Sequence, residues 1–163
     1  MRIHVRLHKE SITRFILKPE SKCRFKSGQF LHLAIDPYDP SYNWPDSRVF
    51  SIASSNKNSK IEILVSPKGE FTKRMVNSLK INQEVWLKLP YGEFNLNASN
   101  NNIILIAGGT GISPFIGFLE DLKNQIIIET EVKLFYGVRN QDLIIYDKLL
   151  FELSENIKNF ELN

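Results

Sequence analysis

In the first part of the chain, apolar and polar positions alternate with a period of two. Ile3, Val5 and Leu7 alternate with Arg2, His4, Arg6 and His8, as in a strand with one face in a core and one in water. Similar runs cover 13–17, 29–35, 47–54, 61–65 and 84–89. The last two carry Ile61, Ile63 and Val65, then Val85, Leu87 and Leu89, on one face. Pro37, Pro40 and Pro45 predict a long loop before the 47–54 run. Six short strands separated by turns predict a small antiparallel barrel or sandwich. Between the last two, Met75, Val76 and Leu79 have the spacing of a helix over 72–79.

Residues 95–102 are rich in Asn and Ser without periodicity, and beyond them the pattern changes. Ile103, Ile104, Leu105 and Ile106 form an unbroken apolar run, which predicts a strand buried on both faces of a parallel sheet. A helix over 114–124 carries Phe115, Phe118, Leu119 and Leu122 on one side; a strand over 132–136, a helix over 145–153 and a strand start at 160–162 follow. This alternation predicts a parallel α/β unit. The division is therefore a barrel domain at 1–97 and an α/β domain at 98–163. A unit of about 60 residues is marginal alone, and two helices are few to cover a parallel sheet. An open apolar edge around Phe160 and Leu162, lower local stability than the barrel and self-association are expected.

The candidate chemistry centres on Gly108-Gly109-Thr110-Gly111-Ile112-Ser113-Pro114, where strand passes to helix. Glycines permit positive φ or close backbone approach. Ser113 and Pro114 suit the first helical turn. Free N–H groups and the helix dipole there favour a phosphate. A Walker loop would need Lys and Ser/Thr after its last glycine, and the spelled Gly-x-Gly-x-x-Gly fingerprint is missing. Alone, the turn has a lesser alternative reading, a tight connection without a ligand.

Composition narrows the field further. The 163 residues are 42% hydrophobic and 24% charged, an ordinary globular balance. A formal charge of +3, scattered along the chain, does not suggest nucleic acid. Cys23 is the single cysteine, which removes an intrachain disulfide and a cysteine metal cage. The charged start Met1-Arg2-Ile3-His4 is unlike a signal peptide, and no apolar run is long enough to span a membrane. A reducing, cytoplasmic setting is expected.

Several short motifs occur in order. Gly28-Gln29-Phe30 opens the third strand, and Arg48-Val49-Phe50-Ser51 lies on the fourth. Gly69-Glu70-Phe71-Thr72 leads into the 72–79 helix, and Pro90-Tyr91-Gly92-Glu93-Phe94 ends the sixth strand. The glycine turn and Tyr136-Gly137-Val138-Arg139 follow. Arg48 offers a planar fork for phosphate, Phe50 a flat apolar face and Ser51 a short donor. This ordered set resembles the ferredoxin–NADP reductase family, which pairs a flavin-binding barrel with a nicotinamide-binding α/β domain.

The resemblance implies bound FAD, with NADH or NADPH as co-substrate. It implies that Arg48 meets the flavin diphosphate, Phe50 the isoalloxazine and Ser51, as catalytic residue, the flavin N5 edge. Gly69 and Thr72 would hold phosphate, and Val65 and Ser66 would offer backbone to the flavin. Gly109, Thr110, Gly111, Pro114, Gly137 and Arg139 would take the dinucleotide. The implied activity is electron transfer between NAD(P)H and an acceptor, a small redox protein or free flavin. Phe50 replaces the family's usual Tyr, as in the branch that reduces and releases flavin. The family usually continues with a Cys-Gly motif beyond the point where this sequence stops, and Cys23 lies in the barrel. A reductase releasing its flavin and a binding remnant that needs a partner are the other readings.

Overall fold

The computed structural model describes residues 1–9, 11–94, 102–124 and 130–163. Six strands build the first half: β1 (Arg2–Lys9), β2 (Ile12–Lys18), β3 (Phe30–Ala34), β4 (Ser47–Ser51), β5 (Ile61–Val65) and β6 (Trp86–Tyr91). They form two antiparallel sheets, β1-β2-β5 and β4-β3-β6. Backbone bonds join the sheets at both seams. Arg2 bridges Glu84, flanked by Val85 N–H to Met1 O and Asn82 N–H to Ile3 O, each 2.8 Å. On the other side, Ile52 N–H still donates to Gln29 O, and Ala53 N–H then turns to Glu62 O at 2.8 Å. The chain thus changes partner just after β4, which is why the strand ends at Ser51 and not at 54 as the apolar pattern suggests.

Inward positions such as Phe15, Leu17, Leu31, Leu33, Ile61 and Ile63 fill the barrel, and α1 (Glu70–Ser78) contributes Phe71 and Met75 to the same core. The helix begins at Glu70, two residues before the expected start, because Thr72 acts from its third position. Its Oγ1 accepts from Gly69 N–H at 3.1 Å and donates to Gly69 O at 3.0 Å.

The second half contains β7 (Ile103–Gly108), a 3-10 turn over Gly109–Ile112, α2 (Ser113–Lys123), β8 (Val132–Gly137), α3 (Asp147–Asn156) and β9 (Phe160–Leu162). Its strands are parallel in the order β7-β8-β9, with Leu105 beside Leu134 and Leu134 beside Leu162. The expected boundary at 97/98 lies outside the described residues. The helix expected from 145 starts at Asp147, since Tyr146 sits in the left-handed region at φ 60°.

Burial of the sheet on both faces does not hold. Leu105, Ala107, Leu134 and Phe160 are buried with α2 and α3, but Ile104 is 64% exposed, Ile106 75% and Phe135 43%. Two right-handed crossovers running in the same direction place both helices on the same side. The open apolar surface is therefore this far face, where Lys133 and Glu161 also pair at 2.8 Å, and Phe160 is not part of it.

The halves meet closely. The outer side of β2 and β5 supplies Ile12 and Leu64 to the α/β core, together with Ala53. A Cβ on Gly117 of α2 would lie 2.5 Å from Ser54 O, so this glycine allows the helix to press onto the barrel. Ser55 N–H donates to Glu120 Oε2 at 2.7 Å and Ser55 Oγ to Asp121 Oδ1 at 2.5 Å.

Candidate functional site

On β4, Arg48 and Phe50 share the side facing the barrel interior, opposite Leu33 and Leu31. Phe50 is 9% exposed, inside the barrel cluster with Val65 and Phe71. Arg48 is exposed and pairs with Asp46; it also donates to Ser47 O at 2.8 Å. Its guanidinium carbon lies 4.9 Å from the Phe71 ring centre. The structure therefore brings Arg48 to the first turn of α1. That turn carries backbone N–H groups without intrahelical acceptors and the positive end of the helix dipole. Gly69 leaves open space where a side chain would stand, with no atom within 4 Å. Val65 ends β5, and Ser66, half-buried, leads toward this turn with its carbonyl accepting from Lys68 N–H at 2.9 Å. Ser51 is half-buried on the other side of β4, paired with Phe30.

Exposed cation, unpaired helix amides and unfilled space suit a diphosphate, so these residues fit FAD. Phe50 offers little open ring surface in this arrangement. Thr72 spends its hydroxyl on Gly69, leaving its backbone N–H as the group it can present to phosphate.

The second cluster lies at the carboxyl ends of the parallel strands, where α/β sheets take ligands. β7 and β8 stop side by side, Gly108 paired with Gly137. Gly109 has φ 51°, and a Cβ there or on Gly111 would meet nothing within 4 Å. Ser113 Oγ donates to Thr110 O at 2.6 Å, which closes the turn, and Pro114 lies in the first turn of α2. Arg139 is exposed two residues past the end of β8. The open glycine backbone fits close approach by a dinucleotide. Phe94, at the end of the barrel, lies 6.2 Å from Phe115 of α2, centre to centre. Among the described residues there is no group of three metal-ligating side chains, and no helix is long and apolar enough to cross a membrane.

Two tyrosines were not singled out by the sequence. Tyr136 donates its hydroxyl to Gly109 O at 3.0 Å and accepts from Ile145 N–H at 3.4 Å, with its pKa raised by burial. Tyr146 reaches across to Glu62 on β5 at 2.9 Å. Tyr136 lies within the Tyr136-Gly137-Val138-Arg139 motif, whereas nothing local in the sequence marks Tyr146.

A model described as FAD-binding domain matches residues 2–127, and one described as oxidoreductase NAD-binding domain matches 105–163. The chain is 30% identical over 139 residues to the anthranilate 1,2-dioxygenase electron transfer component of Acinetobacter baylyi, covering 83% of this chain and 38% of that protein. It is 31% identical over 159 residues to a probable flavin reductase of Aliivibrio fischeri, covering 93% and 63%. It thus spans less than two thirds of either curated relative. Ferredoxin-NADP+ reductase from Plasmodium falciparum, solved with 2'P-AMP, superposes with a TM-score of 0.84 at 26% identity, over 99% of this chain and 71% of that one. FAD and a nicotinamide dinucleotide are the cofactors of the matched domains. With the FAD-binding model alone accounting for most of its length, the chain belongs to the ferredoxin–NADP reductase family.

Proposed function

We propose that the protein transfers electrons between NAD(P)H and an acceptor through bound FAD, with residues 1–97 holding the flavin and 98–163 receiving the nicotinamide cofactor. The observation that carries this reading is Arg48 set over Phe71 at the first turn of α1, in the same molecule as the open Gly109 turn. When bound, FAD supplies the redox chemistry, and the protein supplies placement and polarity. Arg48 neutralises the flavin diphosphate through charge-assisted bonds, aided by Gly69 and the Thr72 amide. Phe50, largely within the barrel core, backs the isoalloxazine from below, Val65 and Ser66 offer backbone, and Ser51 presents its hydroxyl to the N5 edge. Gly109, Thr110, Gly111, Pro114 and Gly137 let the dinucleotide lie on backbone, and Arg139 meets its phosphates or ribose.

The acceptor is a small redox protein or free flavin. A groove of about 1080 Å³ supports the first. It is lined by six basic side chains, among them Lys22, Arg24 and Lys57, against Glu20 as its one acid. Given 21 basic and 18 acidic residues in all, the rest of the chain is slightly acidic, so a negatively charged partner is steered here. Gln29 lines the groove, and its carbonyl takes the amide next to Ser51. Free flavin as acceptor is favoured by Phe50 in place of Tyr and by the likeness to a probable flavin reductase. The open face of the second sheet supports self-association, and the lone Cys23 a cytoplasmic setting.

Purified protein titrated with FAD, then mixed with NADH or NADPH and ferricyanide, tests the reading. Quenched flavin fluorescence and steady nicotinamide oxidation are expected. Failure to bind FAD overturns it; FAD binding without oxidation leaves a binding module.

A further inference from the structure

Tyr146 has a backbone that its side chain must justify. At φ 60° and ψ 30° it occupies the left-handed region immediately before α3. An aromatic residue keeps that conformation only where its surroundings over-determine it. Its hydroxyl lies 2.9 Å from Glu62 Oε2 and 3.3 Å from Ala53 O; with one proton to donate, it favours the nearer carboxylate. Glu62 is 8% exposed, and Arg14 holds both its oxygens, Nε at 2.8 Å and Nη2 at 2.9 Å. The Arg14 guanidinium in turn lies 4.7 Å from the centre of the Tyr146 ring. Tyr146, Glu62 and Arg14 thus close a triangle between the barrel and the α/β unit.

Two corners of this triangle lead to the proposed cofactor sites. Glu62 is on β5, three residues before Val65, the end of the strand offered to the flavin. Tyr146 follows Ile145, whose N–H donates to the Tyr136 hydroxyl, and that hydroxyl donates to Gly109 O. A buried ion pair contributes little net stability, but a directional one fixes register. We propose that Tyr146 is a positioning residue: through Glu62 and Arg14 it sets the placement of the Gly109 turn against the flavin end of β5. It touches neither cofactor. The proposal rests on the oxidoreductase reading for its consequence in rate, but not for its geometry.

The test is Tyr146→Phe, which removes only the hydroxyl. In a Cys23→Ser background, a fluorescent acceptor on Lys148→Cys reports time-resolved energy transfer from Trp44 and Trp86, both in the barrel. Tyr146→Phe broadens the distance distribution. In parallel, reduction of bound flavin by NAD(P)H falls about tenfold, while dinucleotide affinity changes less than twofold and dithionite reduction is unchanged. An unchanged distribution overturns the proposal, and so does a broadened one with undiminished reduction. If the parent protein is not reduced by NAD(P)H at all, the oxidoreductase reading fails, and the distance distribution alone decides the role of Tyr146. Should Tyr146→Phe fail to fold, Glu62→Gln keeps an acceptor for the hydroxyl but loosens Arg14. It broadens the distribution less, and no broadening overturns the proposal equally.

Discussion

The Arg48 guanidinium lies over the Phe71 ring, 4.9 Å from its centre, so a strand cation and a helix N-terminus stand side by side. Because Arg48 is exposed, Arg48→Ala should lower Tm by no more than about 2–4 °C. Loss of a charge-assisted contact to phosphate costs about 1.5–3 kcal/mol, an affinity loss of about ten- to a hundred-fold. Fluorescence titration with FAD, run beside a thermal melt, checks both. Full FAD affinity in the variant removes Arg48 from the site.

Ser51→Ala should leave FAD content unchanged and slow flavin reduction by NAD(P)H. One lost transition-state donor typically costs about 10²–10³-fold. Equal stopped-flow reduction rates for parent and variant would exclude the Ser51 hydroxyl from the mechanism.

Two glycines should behave in opposite ways. A methyl at Gly117 meets backbone, Ser54 O at 2.5 Å, so Gly117→Ala should destabilise by about 1–3 kcal/mol. A methyl at Gly109 meets no protein atom within 4 Å, and its cost is the left-handed backbone alone, about 1–2 kcal/mol. Gly109→Ala should therefore fold but bind dinucleotide more weakly, because the methyl enters the open space a ligand needs. Denaturant melts and NAD(P)H titrations separate the two. Intact nucleotide affinity in Gly109→Ala would show that the ligand lies elsewhere.

Glu120 contributes a pH dependence to stability. Desolvation pushes its carboxyl above the usual range, the Ser55 amide pulls it back in part, and the Glu62 charge adds to the rise. Between the ordinary carboxylate value and the raised one, the folded protein holds a proton that the unfolded chain has released. Stability therefore falls as pH rises through that window. Glu120→Gln keeps an acceptor for Ser55 and Asn58 but cannot ionise. It should flatten the slope and melt higher at neutral pH. An unchanged slope in melts from pH 4 to 8 would count against this account.

The sequence patterns identified most elements because strand alternation and helix spacing reflect local burial. They missed what depends on neighbours distant in sequence. Ile61, Ile63 and Val65 mark one buried face of β5, but Glu62 and Leu64 are buried too, against a half of the molecule that begins forty residues later. The apolar run from Ile103 suggests a doubly covered strand, yet coverage depends on where crossover helices fall, and both fall on one side. The glycine turn is legible because open backbone needs particular residues. Tyr146 is not, since its partner is 84 residues away. Phe50, expected to present its ring, lies largely within the barrel cluster, which Phe71 of α1 also joins from twenty-one residues on.

The core that α2 and α3 build on their sheet also includes Ile12, Ala53 and Leu64 from the barrel side. A fragment of either half would expose side chains whose dry partners belong to the other. Heating should meet this shared interior as one cooperative block and give a single calorimetric endotherm, even though the two halves handle different cofactors.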